Sequence, residues 1–239
     1  MDESQSADAA VPQKPNQGLS FRGLWEVLTK PAAFFEELKA NPKVLVPYVV
    51  IAIVSLTFFW LTIDLIVKMQ MESPQMQERL QGTVMTPQMV QFMRYNILIF
   101  GVLSIMLIPL LAAAFAAFWG NFVFAGKARF KLLLSIMLYG EIIHMLGTLI
   151  VLPMALAKGS ILVGLNLGVL AVGQGPESIL YVLLTKIDLF IIWEIIVIGI
   201  AFSIVYPFSR NKGYVLSVLS MGMLSILHVV FTATGKLLF

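Results

Sequence analysis

The stretch LLLSIMLYGEIIHMLGTLIVLPMALA, residues 132–157, decides the fold class of this protein. A helix needs about 20 mostly apolar residues to cross a bilayer, so this stretch predicts a transmembrane helix. Two ionisable residues, Glu141 and His144, interrupt it near its middle. Ionisable groups are costly at that depth and usually face protein partners, so both residues are candidates for function.

The composition of the whole chain agrees with a membrane protein. Of its 239 residues, 59% are hydrophobic and 12% are charged. The mean hydropathy is +0.91, and a soluble domain carries about 25% charged residues. The absence of cysteine excludes disulfides and thiolate metal sites. A net charge of +3 is too small to indicate a nucleic-acid partner, and none is expected.

Five apolar runs are long enough to cross a bilayer, and lipid leaves only helices as spanning structures for separate segments. The runs cover residues 44–67, 97–119, 132–157, 187–208 and 214–235. The predicted fold class is therefore all-α, a polytopic integral membrane helical bundle of five transmembrane helices. A further apolar stretch, residues 161–172, is too short to cross. It predicts a re-entrant or interfacial loop, with a sixth span as the alternative.

The chain before the first run divides into two parts. Residues 1–19 are polar and lack the apolar core of a signal peptide, so they predict a disordered cytoplasmic tail. Residues 20–43 predict short amphipathic interfacial helices. In the first, Ser20 is a candidate cap, and one face holds Phe21, Leu24, Trp25 and Leu28. In the second, which Pro31 can open, the apolar side holds Phe34, Phe35 and Leu38. These helices either lie in the membrane interface or pack on the end of the bundle.

The distribution of Lys and Arg predicts an orientation. The densest group is Lys127, Arg129 and Lys131, in the short segment after the second run. Segments that connect spans on the cytoplasmic side carry an excess of Lys and Arg. With five spans, this rule places the N-terminus in the cytoplasm and the C-terminus outside.

Three short motifs resemble those of a known family. KPAAFFEEL, residues 30–38, resembles the P-x-x-F-F-x-x-L segment ahead of the first span in bacterial YIP-domain proteins. GKARFK at residues 126–131, which leads to YGE at 139–141, and KGY at 212–214 are similar to further stretches of that family. The resemblance covers residues 20–235. It implies a five-helix transmembrane YIP-like domain over 44–239, in a bacterial cytoplasmic membrane.

The resemblance implies less about activity. Eukaryotic relatives are linked to vesicle traffic and to Rab-type GTPases, but their Asp-Leu-Tyr-Gly-Pro signature is absent here, so GTPase binding is not carried over.

Four ionisable groups are predicted to share one layer of the membrane. At 1.5 Å per residue, Glu141 lies about 15 Å deep, His144 about 20 Å, Glu194 about 21 Å and His228 about 22 Å. Glu141 and His144, three residues apart, share one helix face. The four groups on three helices are therefore candidates for a common interior site.

Three interpretations of this layer remain open. The carboxyls and imidazoles can form a hydrogen-bond network that holds helices together. They can bind Zn or another divalent metal, since a Glu-x-x-His pair on a helix recurs in carboxylate metal sites. They can also relay protons or ions.

The sequence favours a protein without catalysis. It contains no zincin helix, no nucleophile elbow and no phosphate-binding glycine loop. The expected function is a membrane scaffold or accessory protein. Its expected partners are the lipid bilayer and other membrane proteins or a second copy of the chain. The alternative is a metal-binding or ion-conducting protein that uses the Glu/His layer.

Overall fold

The structure is a computed structural model that describes residues 21–174 and 178–233. Within those two ranges the chain forms nine α-helices and no strand, which confirms the predicted all-α class. The helices are α1 (Arg22–Thr29), α2 (Pro31–Ala40), α3 (Leu45–Glu72), α4 (Pro74–Leu80), α5 (Pro87–Ala117), α6 (Phe130–Lys158), α7 (Ile179–Thr185), α8 (Leu189–Val205) and α9 (Arg210–Ala233). The predicted tail over 1–19 and the candidate cap Ser20 lie outside the described residues.

Among the residues that the structure describes, four helical segments are long and apolar enough to cross a membrane. They are Leu45–Glu72, Pro87–Val123, Phe130–Lys158 and Arg210–Val230, of which the second includes a π-helix that continues α5. α8 is apolar but has only 17 residues, which reach about 25 Å at 1.5 Å per residue. The polytopic membrane bundle is thus confirmed, while a fifth crossing by α8 stays a prediction.

α6 is the central helix of the bundle. In its most apolar window, 61% of the residues are buried inside the protein, compared with 17–22% in the other three long segments. α6 packs against α3, α5 and α8, and α8 in turn packs against α9. The close approach of α8 depends on small residues: a Cβ added at Gly147 would lie 2.5 Å from a ring carbon of Phe190. The helix that carries Glu141 and His144 is therefore also the core of the fold.

Helix directions alternate along the chain, so the connections gather at two ends of the bundle. We call the end formed by residues 22–44, 118–131 and 206–212 the N-terminal end. The distal end is formed by residues 73–86 and 159–188. At the N-terminal end, for example, Ser135 donates a hydrogen bond of 2.6 Å to the carbonyl of Lys43, which fixes the start of α3 against α6.

α2 packs on the N-terminal end of the bundle. Phe34, Phe35 and Leu38 are all buried, and α2 contacts α8 and α6. The Lys39 ammonium donates a hydrogen bond of 2.8 Å to the carbonyl of Ile204, in the last turn of α8. Of the two arrangements left open by the sequence, α2 thus adopts packing on the bundle.

α1 presents a different face from the one predicted. Gly23 and Val27 are buried, with Leu24 and Leu28 packed beside them. Phe21 and Trp25, which were expected on the same apolar face, are 62% and 69% exposed. Aromatic side chains are enriched at membrane–water interfaces, so this exposed face of α1 agrees with the interfacial position that the sequence left open.

The stretch over 161–172 does not form a sixth long helix. It contains the 3-10 helix Leu167–Leu170, and a second 3-10 helix, Val172–Gln174, begins at its last residue. Two backbone bonds tie it to the start of α8: the N–H of Leu167 donates to Ile187, and the N–H of Leu189 donates to Leu165. This geometry agrees with the predicted loop, re-entrant or interfacial, rather than with a sixth span.

Side-chain caps explain where helices begin at the distal end. The hydroxyl of Ser73 accepts the N–H of Met76 to start α4, and the hydroxyl of Thr86 accepts that of Met89 to start α5. The Asp188 carboxylate accepts from Phe190 at 2.8 Å to start α8. Each cap satisfies backbone donors that the first turn leaves open, so these polar residues set the helix boundaries.

Candidate functional site

The middle of the bundle contains two buried carboxyl groups on contacting helices. Glu141 of α6 is 5% exposed and Glu194 of α8 is 4% exposed. Oε1 of Glu194 lies 3.3 Å from the position that a Cβ would take at Gly140, the residue before Glu141. The two carboxyl groups are close enough to interact electrostatically. The structure thus brings together two of the four predicted residues.

Gly140 provides the space for this pair. A Cβ at this position would lie 2.6 Å from Cδ1 of Ile198, so α6 and α8 approach closely because position 140 has no side chain. Two carboxylates in a low-dielectric interior repel each other unless a proton, a cation or a positive partner lies nearby. The pair is therefore the part of the core with the greatest need for a bound positive charge.

His144 is the residue that can supply such a charge from the protein itself. It lies one turn after Glu141 on α6, is half-buried, and interacts electrostatically with Glu141. Its backbone carbonyl accepts the hydroxyl of Thr148 at 3.2 Å. The predicted shared face of Glu141 and His144 therefore places the imidazole beside the Glu141 carboxyl.

His228 has a different neighbour. It is exposed on α9, and its Nδ1 lies 3.1 Å from Nζ of Lys186, in the segment before α8. Burial lowers the pKa of the Lys186 ammonium, because it is partly removed from water. The imidazole therefore lies next to a lysine whose positive charge is already disfavoured.

These placements bear on the metal hypothesis. Throughout the described part of the chain, no three His, Asp or Glu side chains are grouped so that they could hold a metal ion. The arrangement gives the hypothesis of a Zn or other divalent site at Glu141, His144, Glu194 and His228 no support. The chemistry that the pair itself offers is proton exchange between two carboxyls and an adjacent imidazole.

A second polar site lies at the N-terminal end, around Asn121. The Asn121 amide donates to the carbonyl of Ala128 and accepts its N–H, both at 2.9 Å. The hydroxyl of Tyr206 donates to Asn121 Oδ1, also at 2.9 Å. Burial raises the pKa of Tyr206 to about 12, so its hydroxyl stays a donor. One side chain thus connects the end of α5, the following loop and the end of α8.

The loop beside Asn121 is open and basic. A cavity of about 480 Å³ is lined by Asn121, Gly126, Lys127, Ala128 and Arg129. Asn121 belongs to the π-helix Phe118–Val123, an irregular form that is frequent at functional sites. Across the same end, the ammonium of Lys212 lies 4.4 Å from the ring centre of Phe208 and 5.0 Å from that of Phe124.

Sequence reasoning noted the basic residues but missed Asn121 and Tyr206. The available signal was an asparagine at the end of an apolar run, seven residues before the backbone that it binds. That spacing matches no standard turn or cap, and Tyr206 is distant in sequence, so only the fold reveals the link.

The family of this chain follows from its similarity to known proteins. A family model described as the Yip1 domain matches residues 25–232. The chain belongs to the Yip1 domain family. This match confirms the resemblance that the sequence motifs indicated, and it covers nearly the whole chain. No curated protein and no solved structure matches it.

Proposed function

We propose that this Yip1-domain protein is a non-catalytic integral membrane scaffold or accessory protein, which engages other membrane proteins or lipid. The observation that carries the proposal is the small share of its long helices that the bundle buries. Only 17–22% of the most apolar windows of α3, α5 and α9 is buried inside the protein. These helices therefore present broad apolar faces to their surroundings. Either lipid or the helices of a partner protein can cover such faces.

The proposed organisation follows the predicted domains. Residues 1–19 form a cytoplasmic tail, residues 20–43 form the amphipathic helices, and residues 44–239 form the five-span domain in a bacterial cytoplasmic membrane. The basic loop over 127–131 supports an N-terminus inside and a C-terminus outside. The packing of α2 on α8 supports amphipathic helices that are attached to the membrane domain.

A cross-linking experiment in cells tests partner binding. A photo-reactive residue is placed at Leu107 of α5, which is 51% exposed, and at the control position Ala113 of the same helix, which is fully buried. We expect a discrete adduct with one membrane protein or a second copy from position 107, and only intramolecular products from 113. If outward positions on α3, α5 and α9 all give lipid adducts alone, the protein has no stable membrane-protein partner and that half of the proposal fails.

A second candidate function uses the buried carboxyl pair. The electrostatic interactions of Glu141 with Glu194 and with His144 favour proton or cation handling over a purely apolar core. Metal analysis of detergent-purified protein separates the forms of this idea. A stoichiometric divalent ion that is lost in Glu141→Gln supports a metal site, whereas proton uptake by protein-containing vesicles that is lost in Glu194→Gln supports a proton path. If neither a bound divalent ion nor proton uptake is found, the carboxyl pair has a structural role only.

A further inference from the structure

The N-terminal end carries a concentration of positive charge that the described residues leave without acidic partners. We call it the basic patch: five exposed cations, Lys127, Arg129, Lys131, Arg210 and Lys212. The ion pairs found among the described residues join other side chains, Arg22 with Glu26 and Arg94 with Asp64. The sequence also has no Asp or Glu between 79 and 140 or after Glu194. The patch therefore retains its charge.

The loop of the basic patch is held in one conformation. The two Asn121 bonds to Ala128 fix the backbone between Lys127 and Arg129, and the N–H of Gly126 donates to the carbonyl of Gly120 at 2.9 Å. Ala128 is half-buried, while the residues on either side of it are exposed. The two cations thus flank a cavity whose backbone is already ordered, which reduces the entropy lost when an anion binds.

Exposed aromatic residues lie within three positions of the cavity-lining residues in the sequence. Phe122 is 80% exposed, Phe118 is 50% exposed and Phe130 is 44% exposed. The rings of Phe118 and Phe122 stack with centres 5.8 Å apart. All three lie at the ends of segments that are long and apolar enough to cross a membrane, the level at which aromatic rings are enriched in membrane proteins. Cations and rings together match the two parts of a phospholipid, its phosphate and its acyl chains.

We infer that the basic patch binds the phosphate headgroup of an anionic phospholipid. The inference rests on the proposed accessory role in the membrane and names the lipid that this role engages. Lys127 and Arg129 meet the phosphate at the mouth of the cavity, and the exposed rings of Phe118 and Phe122 contact the acyl chains. Lys and Arg near an anionic leaflet each add an attraction that corresponds to about a fivefold gain in binding.

Native mass spectrometry of the detergent-purified full chain tests this site. The protein is mixed with phosphatidylglycerol and phosphatidylcholine in equal amounts, and the ratio of bound lipids is read from the adducts. We expect wild-type protein to prefer phosphatidylglycerol. Lys127→Gln/Arg129→Gln should reduce that preference at least fivefold, because two of the five charges are lost. Lys127→Arg/Arg129→Lys should keep it.

The matched control is Lys158→Gln/Arg79→Gln, which removes the same charges from exposed positions at the distal end. Lys158 ends α6, about 40 Å from its start at 1.5 Å per residue. An equal loss in this control, or an unchanged preference in the Lys127/Arg129 variant, overturns the site. If inorganic phosphate displaces the lipid at equal concentration, the patch takes free phosphate and the lipid assignment is wrong.

The cross-linking at Leu107 keeps this result separate from the proposed function. Normal adducts in a Lys127→Gln/Arg129→Gln background, together with an unchanged lipid preference, would reject the lipid site and leave partner binding intact. Absence of any adduct from position 107 in the wild-type chain, together with a lipid preference that Lys127→Gln/Arg129→Gln abolishes, would reject partner binding and leave the lipid site intact.

Discussion

The two ends of the bundle are held together by different kinds of contact. At the N-terminal end, long-range hydrogen bonds join separate helices and loops: Lys39 to Ile204, Ser135 to Lys43, and Tyr206 to Asn121. At the distal end, most side-chain bonds are helix caps or join residues a few positions apart, as with Ser73 and Thr86. One end is thus fixed by tertiary contacts and the other mainly by local ones.

Because of this difference, the end of the bundle that carries the basic patch is also the end with the more rigid backbone. The basic patch lies on the end with tertiary contacts, so its cations are presented from a rigid frame. Near the distal end, the ion pair of Arg94 with Asp64 joins α5 to α3 through exposed side chains. Substitutions at the N-terminal end should therefore cost more stability than comparable ones at the distal end.

The largest effect is expected for Gly213→Ala, where α9 begins at the N-terminal end. A Cβ there would lie 2.5 Å from the carbonyl oxygen of Gly199 and 2.9 Å from the backbone nitrogen of Ser203, so α8 and α9 must separate. We expect a loss of about 3 kcal/mol of unfolding free energy, the upper part of the range for overpacking. Thermal or denaturant unfolding in detergent measures it.

Gly222→Ala is the control for that substitution on the same helix. Nothing lies within 4 Å of a Cβ at this position. Alanine is the better helix former by about 0.8–1 kcal/mol, so the control should be neutral or stabilised. Equal losses in both variants would show that α9 tolerates no change anywhere, and the comparison of the two ends would lose this support.

The second effect concerns Asn121→Ala. The substitution leaves the N–H and carbonyl of Ala128 and the hydroxyl of Tyr206 without their present partner, at about 1–3 kcal/mol. Asn96→Ala is the matched control, because the Asn96 amide donates only to Phe92 within its own helix. We expect the control to lose under about 0.5 kcal/mol. A comparable loss in both would mean that the Asn121 bonds do not support the loop.

The third effect concerns the carboxyl pair between the two ends. Since Glu141 and Glu194 interact, the losses from Glu141→Gln and Glu194→Gln should not add, and a coupling of about 1 kcal/mol is expected from a double-mutant cycle. The sequence placed His228 in the same candidate site as Glu141, and a shared site would make the losses of that pair non-additive as well. Because His228 contacts Lys186 instead, that second cycle should be additive. Coupling in the second cycle but not in the first would reverse this assignment.

The sequence could predict the parts of this protein that depend on periodicity and composition. Apolar length identified the long helices, and the spacing of Phe34, Phe35 and Leu38 identified the buried side of α2. The predicted membrane depth of the four Glu and His residues could not show which of their side chains meet. Glu194 reaches α6 because Gly140 leaves space, whereas His228 turns to Lys186. The direction in which a side chain points depends on the rotation of its helix about the helix axis. That rotation is set by side-chain packing, and the equal depth of four residues does not determine it.

The smallest effect is expected at the distal ion pair. Nη2 of Arg94 lies 2.5 Å from Oδ1 of Asp64, but the side chains are 40% and 72% exposed. Solvent screens an exposed pair and ordering two side chains costs entropy, so Asp64→Asn should lose under about 0.5 kcal/mol. The loss should shrink further as salt is raised. A loss above 1 kcal/mol that persists in high salt would show that the distal end, too, depends on a tertiary contact between α3 and α5.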